Sequence, residues 1–352
     1  MSFDSPKKLR GVDLIVEPET SCRIRLDSNE SCFDTQGVLR EEIMRALEGV
    51  AFNRYPDPTA HGMINAFAGY YGADADMVTP GNGSDELISL ILSSLFEKGD
   101  TVLTLSPDFS MYAFYGRIAE LKVTSLPKDD DFKINIGKVV EQCSGSDIKA
   151  VIFSNPCNPT SLGVRRQDVL RLVKSVSCLC IVDEAYMDFW DESVIGDVKD
   201  YDNLIVLKTC SKNMGLASLR CGFAVADKEI TRILRAVRSP YNVNGLTQAA
   251  VTAVFAHPEM IREHTQRITD SRRALYTALY DMTDHYFDVE KVFDSVTNFV
   301  LVRSAKSRLI AQRLAERDVA VRCLGNFLRI TAGTEEENEI FLKEFEDILS
   351  TI

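Results

Sequence analysis

Lys212 stands in a setting that suits covalent chemistry. It follows an apolar, β-branched run, residues 204–207, that is typical of a buried strand. Two hydroxyl residues, Thr209 and Ser211, come just before it, and Arg220 follows eight positions later. Hydroxyl and guanidinium groups bind phosphate, and a lysine amine forms a Schiff base with a carbonyl group. This spacing indicates a lysine that bonds to a phosphorylated carbonyl cofactor.

Polar residues also follow two other strand-like runs. Asn158 comes shortly after one such run, and Asp183 and Tyr186 come directly after another. In an open parallel sheet, ligands bind outside the carboxyl ends of the strands. We therefore expect Asn158, Asp183, Tyr186 and Lys212 to converge on one crevice.

A glycine-containing turn offers a further phosphate contact. Gly81 and Gly83 allow close approach to the backbone, and Ser84 is a suitable N-cap for a predicted helix that runs on through Asp85. The first turn of a helix has free N–H groups that favour an anion. We therefore expect the backbone around Gly83, Ser84 and Asp85 to bind a phosphate group.

Pyridoxal phosphate needs this set of groups. Its aldehyde needs a lysine, and its pyridine nitrogen stays protonated beside a buried carboxylate, for which Asp183 is placed. Asn158 and Tyr186 can donate to its phenolate oxygen, and Phe109 can stack on its ring. The predicted catalytic residues are Lys212, Asp183 and Tyr186. The predicted contacts of the cofactor pyridoxal 5'-phosphate are Gly83, Ser84, Asp85, Phe109, Asn158, Asp183, Tyr186, Thr209, Ser211, Lys212, Arg220 and Tyr55.

Other kinds of site match these motifs less well. The run that ends in Asp183 and Glu184 resembles a Walker B strand, but the sequence has no G-x-x-x-x-G-K-[ST] motif. The turn at residues 81–83 lacks the third glycine of a dinucleotide-binding turn. The four histidines are isolated from the carboxylate pair. We therefore predict no P-loop, no dinucleotide site and no metal site.

Length and composition bound the class of protein. The chain has 352 residues, of which 45% are hydrophobic and 26% charged, as expected of a globular protein with two domains. Its net charge of −12, without any basic block, argues against a nucleic-acid partner. The nine cysteines are scattered, and neither a signal-like segment nor an apolar run of membrane-spanning length is present. We expect a soluble cytoplasmic protein.

The pattern of elements predicts an α/β fold. Residues 1–40 are turn-rich and resemble an arm, and strand-like and helix-like runs then alternate through residues 41–243. Such alternation predicts a large domain with a mostly parallel sheet covered by helices. Residues 244–352 have an α+β pattern, which predicts a smaller C-terminal domain that begins with one long helical stretch, about 247–284.

At this point the sequence resembles a known family. It is similar to the fold-type I pyridoxal-phosphate aminotransferases of the histidinol-phosphate aminotransferase group, over nearly the whole chain. The motifs that carry the resemblance, in order, lie at residues 26–30, 55–58, 81–86, 158–160, 183–186, 211–212 with Arg220, 240–242, 298–299 and 328–331.

The resemblance implies roles for particular residues. Lys212 would form the internal aldimine and move the proton between the substrate Cα and the cofactor C4′ atom. Tyr55 would reach the cofactor phosphate of a neighbouring subunit, which implies a homodimer. Arg322, Arg329 and Asn29 would bind the substrate, the two arginines at its anionic end.

The chain also departs from the family pattern. Glu19 stands where the family has a tyrosine that helps to bind the substrate phosphate, and the segment between Arg322 and Arg329 is short. Ser161 replaces a common glycine, and Phe109 replaces a usual tyrosine without loss of the stacking surface. The first two departures concern the choice of substrate, and none of the four affects the predicted chemistry.

The resemblance favours transfer of an amino group between histidinol phosphate, or a related amine or amino acid, and 2-oxoglutarate. Two other activities of the same fold stay open: an aromatic or broad-specificity amino-acid aminotransferase, and a threonine-phosphate decarboxylase. A non-catalytic regulatory module that binds the cofactor is a further alternative, but no DNA-binding segment precedes the predicted fold.

Overall fold

The computed structural model describes residues 21–145 and 147–352. Predictions about residues 1–20, including the position of Glu19, lie outside these ranges. The described residues form two β-sheets with helices packed against them, which confirms the predicted α/β class.

The larger sheet has seven strands. They are β2 (Val78–Gly81), β3 (Thr101–Ser106), β4 (Lys122–Pro127), β5 (Ile148–Ser154), β6 (Leu179–Asp183), β7 (Leu204–Thr209) and β8 (Gly222–Val225). Their order is β2-β8-β7-β6-β5-β3-β4, and the five strands from β7 to β4 are parallel. β8 is antiparallel to both of its neighbours. As predicted, β5, β6 and β7 end side by side at one edge of the sheet.

Helices cover both faces of this sheet. They are α1 (Thr35–Val38), α2 (Arg40–Glu48), α3 (His61–Tyr71), α4 (Gly83–Ser94), α5 (Met111–Ile118), α6 (Ile136–Gly145), α7 (Arg166–Ser175), α8 (Lys228–Val237) and α9 (Gly245–Phe255). Side chains alternate along β7: Leu204 and Val206 belong to one core, and Ile205 and Leu207 belong to another. Because both faces of β7 are covered by apolar cores, residues 204–207 are apolar at every position.

The smaller sheet has five strands and a separate core. Its strands are β1 (Ile24–Leu26), β9 (Lys291–Phe293), β10 (Phe299–Arg303), β11 (Val319–Cys323) and β12 (Phe327–Thr331), in the order β1-β11-β12-β10-β9. The helices α10 (Pro258–Asp281), α11 (Ser307–Glu316) and α12 (Glu335–Leu349) accompany it. β1 is parallel to β11, and the other pairs are antiparallel. Within the described ranges, no helix combines the length and apolar character needed to cross a membrane.

The expected long helical stretch at 247–284 is wrong in one respect. It consists of two helices, α9 and α10, because Pro258 has no backbone N–H and begins a new helix at its first turn. The division into domains stays a prediction. α9 packs against α2 and α3, and β1 pairs with β11, so we propose a boundary between α9 and α10 and place β1 with the smaller domain.

The core of the smaller sheet is open to a test with a matched control. Phe341 on α12 is fully buried there, so Phe341→Ala is expected to lower the free energy of unfolding by about 3–5 kcal/mol. Phe287 is fully exposed, and Phe287→Ala is expected to change it by less than about 0.5 kcal/mol. Urea titration followed by circular dichroism measures both. Equal losses in the two variants would contradict this packing.

Candidate active site

The polar strand ends meet in one cavity of about 940 Å³. Thirteen of the residues predicted from the sequence line it: Asn29, Ser84, Asp85, Phe109, Asn158, Asp183, Tyr186, Thr209, Ser211, Lys212, Arg220, Arg322 and Arg329. They come from the larger sheet, from the start of α4 and from the smaller sheet. The cavity therefore lies where the two sheets approach each other.

Lys212 extends into this cavity from the loop after β7. Its Nζ atom donates a hydrogen bond to the Ser28 carbonyl at 3.3 Å and lies 5.7 Å from the centre of the Tyr186 ring. The fully buried interior of β7 anchors the start of the loop. The amine is therefore held at the cavity wall by a neutral acceptor and an aromatic face.

Asp183 ends β6 as a buried carboxylate. Its donors are the Tyr112 hydroxyl at 2.8 Å and the Ala185 amide at 3.1 Å, and both are neutral. Burial raises the pKa of Asp183 to about 7, because removal of the negative charge from water outweighs the two hydrogen bonds, which lower the pKa. The carboxylate is thus suited to a cationic partner supplied from the cavity.

Tyr112 is a site residue that sequence reasoning missed. It is fully buried on α5, and its ring packs edge-on against Phe109, three positions earlier, with 5.5 Å between the ring centres. That spacing was the only available signal, because the contact with Asp183 joins residues 71 positions apart.

The backbones of β8 and of the start of α4 pack closely beside the cavity. A Cβ atom at Gly222 would lie 2.6 Å from the backbone of Gly83 and Ser84, so β8 approaches the start of α4 only with glycine there. Gly83 itself has φ +79° and begins α4. Ser84 and Asp85 in the first turn of this helix line the cavity, and the free N–H groups of such a turn favour an anion.

Arg220 packs on that turn in a strained conformation. Its φ of +47° lies in the left-handed region that favours glycine. Its guanidinium group donates to Asp85 at 3.2 Å, and a Cβ atom at Gly83 would lie 2.7 Å from it. Nearby, the Thr209 hydroxyl donates to the Ser211 hydroxyl at 3.0 Å. Arg220 and both hydroxyl residues line the same cavity.

A hydrogen bond joins the two sheets across the cavity. Arg329 on β12 donates to the Asn158 side chain at 2.6 Å and to the Asp27 carbonyl at 2.6 Å. Arg322 on β11 is paired with Arg329 in register and donates to the Asp27 carbonyl at 3.4 Å. The predicted substrate arginines are thus neighbours, and one of them contacts a predicted cofactor ligand.

The short segment between those arginines is a tight hairpin. Leu324 and Phe327 exchange backbone hydrogen bonds of 2.8 and 3.2 Å around Gly325, whose φ is +64°. A two-residue loop of this kind needs positive φ and fixes the strand register. The departure noted in the sequence therefore brings Arg322 and Arg329 together.

Asn29 and Tyr186 form a further link between the sheets. The Asn29 side chain donates to the Tyr186 hydroxyl at 2.9 Å, and its backbone amide donates to Thr331 at 3.0 Å. Both residues are buried. Asn29 therefore orients Tyr186 in this structure.

A buried ionic cluster supports Asn158 from behind, and sequence reasoning missed it. The Ser154 hydroxyl donates to Asp108 and accepts from the Asn158 amide at 3.2 Å. Lys128 lies 3.4 Å from Asp108, and both side chains are almost inaccessible to solvent. No local pattern relates the three parts of this cluster, because residues 108, 128 and 154–158 belong to separate segments of the chain.

Two remaining predictions have different outcomes. Ser161, at the position of the usual glycine, has φ +63°, and its hydroxyl donates to the Asp294 carbonyl at 2.7 Å, which ties the loop to the smaller domain. Tyr55 is not among the residues that line the cavity. It is 81% exposed and stacks on Tyr241 at 4.5 Å, so its role stays a prediction.

The chain is similar to proteins of a known family. The family model of aminotransferase class I and II matches residues 23–345. The chain belongs to the class I and II aminotransferases. A histidinol-phosphate aminotransferase of Clostridium novyi is 36% identical over 90% of this chain and 89% of its own length.

Solved structures agree with the fold. Histidinol-phosphate aminotransferase from Sinorhizobium meliloti, in complex with pyridoxal-5'-phosphate, has a TM-score of 0.89 at 22% identity and covers 99% of both chains. L-threonine-O-3-phosphate decarboxylase from Porphyromonas gingivalis has a TM-score of 0.80 at 22% identity, over 93% of this chain and 100% of its own. The fold therefore serves both reactions and does not choose between them.

The protein is a pyridoxal-phosphate-dependent aminotransferase, and the residues around its cavity fit that cofactor. An amine reaches the cavity at Lys212, and a buried carboxylate with neutral donors faces it at Asp183. Ser84 and Asp85, in the first turn of α4 whose free N–H groups favour an anion, line the same cavity. When bound, pyridoxal phosphate supplies an aldehyde that accepts the amino group and a ring that withdraws electrons.

The raised pKa of Asp183 predicts a pH dependence of stability in the cofactor-free protein. Between pH 4 and 7 the folded state holds a proton on Asp183 that the unfolded state has released, since the pKa rises from 3.8 to about 7. This stabilisation is complete below the unfolded pKa and disappears as pH rises through the folded pKa. The free energy of unfolding, wild type minus Asp183→Asn, should therefore fall with pH by at most about 1.4 kcal/mol per unit.

Denaturant titrations of both cofactor-free proteins at pH 5, 6, 7 and 8 measure this difference. Asp183→Asn removes the titrating group, so the subtraction cancels the other ionisable residues. A difference that stays constant from pH 5 to 8 would show that the carboxyl group titrates normally.

Proposed function

We propose that this aminotransferase exchanges an amino group between histidinol phosphate and 2-oxoglutarate. The observation that carries the proposal is the pair of arginines, Arg322 and Arg329, which lie opposite each other on neighbouring strands and both line the cavity. Both substrates carry an anionic group, which such a pair binds well. The identity of 36% to a relative named for histidinol phosphate supports the same substrate.

Lys212 is proposed as the residue that bonds to the cofactor and later moves the proton. With the cofactor bound, the Lys212 Nζ atom would accept the proton from the substrate Cα and return it in the second step of the transfer. The loop after β7 would keep the amine at the cavity wall in both steps. Asp183 would hold the proton on the pyridine nitrogen, and Tyr112 orients Asp183.

Asn158 and Tyr186 are proposed to donate to the phenolate oxygen, which favours the deprotonated form of the Schiff base nitrogen. Both side chains have fixed partners: Arg329 on β12 contacts Asn158, and Asn29, which follows β1, contacts Tyr186. A substrate anion that engages Arg329 competes for the guanidinium group that now contacts Asn158. Substrate binding and the proton affinity of the site are therefore coupled through this arginine.

The remaining cofactor contacts are proposed by chemistry and position. The backbone of Ser84 and Asp85, the hydroxyls of Thr209 and Ser211, and Arg220 bind the phosphate. Phe109 lies along the same wall and stacks on the ring.

We further propose a homodimer in which Tyr55 contacts the phosphate in the partner's site. Tyr55 is 81% exposed, does not line its own cavity and stacks on Tyr241. Other apolar side chains exposed on this chain include Phe52, at 83%, and Leu246, at 40%. Exposed aromatic residues of this kind favour an interface. The nine free cysteines support a reducing compartment, and we place the enzyme in the cytoplasm.

The substrate proposal is tested in separate half-reactions of the yellow holoenzyme. Histidinol phosphate alone should bleach the yellow absorption by producing the pyridoxamine form, and 2-oxoglutarate should then restore it. Histidinol, phenylalanine and threonine phosphate are compared at equal concentrations. Faster conversion by phenylalanine would contradict the proposed donor, and release of CO₂ from threonine phosphate without conversion would contradict transamination.

Variants of the same holoenzyme test the role of Lys212. Lys212→Ala should lower turnover by about 10²–10⁴-fold or more, because both covalent attachment and proton transfer are lost. Lys199→Ala is the control, since Lys199 is an exposed lysine outside the cavity. Normal turnover by Lys212→Ala would remove the basis of the mechanism.

Mixed dimers test whether Tyr55 acts across the interface. Lys212→Ala and Tyr55→Ala proteins are each assayed at limiting pyridoxal phosphate and then together after joint refolding. In a hybrid dimer one site has both changes and the other has neither, so an equal mixture should regain about a quarter of wild-type activity. No recovery, although hybrids form, would place Tyr55 in its own subunit's site.

A further inference from the structure

A half-exposed ion pair lines the cavity beside the smaller sheet. Arg25 on β1 lies 3.1 Å from Glu30, and both residues line the cavity together with Arg322. Their side chains are 51% and 41% exposed. Neither residue entered the predicted substrate site.

The strand register directs Arg25 toward Arg322. Arg25 is paired with Ala320 across β1 and β11, and Ala320 and Arg322 are two positions apart on β11. Residues two apart on a strand project from the same face, and so do directly paired residues on neighbouring strands. Arg25, Arg322 and Arg329 therefore project from one face of the smaller sheet, toward the cavity that all three line.

The pair of Arg25 and Glu30 is easy to separate. An exposed ion pair contributes only about 0–1 kcal/mol to stability, because water solvates both charges well. A phosphate dianion or a second carboxylate on the substrate gives the guanidinium group a hydrogen-bonding partner of equal or greater charge. Replacing Glu30 by such a group at Arg25 therefore costs little free energy.

We propose that Arg25 is a third cation of the subsite for the distal anion of the substrate, and that Glu30 is its counter-ion between substrates. On binding, the substrate anion takes the place of the Glu30 carboxylate at Arg25, beside Arg322. This inference rests on the proposed function in one respect, namely that both the donor and the acceptor carry a distal anion. It assigns Arg25 and Glu30 to substrate selection, whereas Lys212 and its neighbours carry the reaction.

Removal of either charge should move substrate affinity in opposite directions. Arg25→Gln should raise KM about five- to tenfold for histidinol phosphate and for 2-oxoglutarate, with kcat nearly unchanged, because the lost contact binds ground state and transition state alike. Glu30→Gln should lower both KM values about two- to fivefold, because Arg25 no longer exchanges one anion for another. A folding defect cannot produce the second result.

Arg23→Gln is the matched control. Arg23 precedes β1 by one residue, is 67% exposed, lies 3.9 Å from Asp318 and does not line the cavity. The substitution changes the net charge of the protein as Arg25→Gln does, so long-range electrostatics are equal in the two variants. Its KM values should stay within about twofold of wild type.

A pair of amino donors separates this inference from the identity of the natural donor. Glutamate and norvaline have equal chain length, and only glutamate has a distal carboxylate. The ratio of their kcat/KM values in the half-reaction should fall about five- to tenfold in Arg25→Gln, even if histidinol phosphate proves not to be a substrate. The proposed function fails when wild type does not convert histidinol phosphate.

The inference about Arg25 has its own contrary outcomes. It fails if Arg25→Gln keeps the wild-type ratio of glutamate to norvaline, or if it slows both donors equally. A Glu30→Gln variant with a raised KM would also overturn it, because Glu30 would then contribute to binding instead of competing with the substrate. In the double variant, Glu30→Gln should have no further effect on KM.

Discussion

The hydrogen-bonded alignment of β5, β6 and β7 is the constraint on which the rest of the site depends. The ladder continues beyond the strand ends: the Asn155 amide donates to the Asp183 carbonyl at 2.8 Å, and the Glu184 amide donates to the Leu207 carbonyl at 2.9 Å. Three chain segments therefore leave the sheet at one level and carry their polar side chains with them. A shift of one residue in any strand would turn its side chains to the opposite face. The apolar cores on both faces resist such a shift, because every apolar residue of these three strands packs in one core or the other.

The smaller sheet adds the proposed substrate-binding part of the site. Phe299 of this sheet packs on Tyr186, and two hydrogen bonds fix the contact: Arg329 bonds to Asn158, and Asn29 bonds to Tyr186. Hydrogen bonds to a charged group are strong but directional, so they hold one arrangement of the two sheets and can be exchanged for bonds to a ligand. The smaller core, centred on residues such as Phe341, keeps β11 and β12 rigid behind the arginines. Chemistry and selection are thus placed on separate frameworks that meet at Asn158.

The site residues that could be predicted from the sequence are those that follow the ends of parallel strands. Lys212, Asp183 and Asn158 each follow an apolar run, and a parallel sheet must bring such positions together. Tyr112, Lys128 and the placement of Arg25 on the same face as Arg322 had no comparable signal, because they depend on how helices and a second sheet pack. Pro258 marks the break between α9 and α10, but the helical pattern on both sides of it led to the prediction of one continuous helical stretch.

Several features of the site are unfavourable for the isolated chain. Asp183 is a carboxylate buried with neutral donors, Arg220 has a backbone conformation that favours glycine, and Arg322 lies directly opposite Arg329. Each of these features costs stability, and strain or close approach of like charges persists only where the surrounding structure holds it. A cationic ring nitrogen beside Asp183 and anions beside the two arginines would make the electrostatic contributions of Asp183 and of the arginine pair favourable. Relief of these contacts would therefore supply part of the free energy with which the proposed site binds cofactor and substrate.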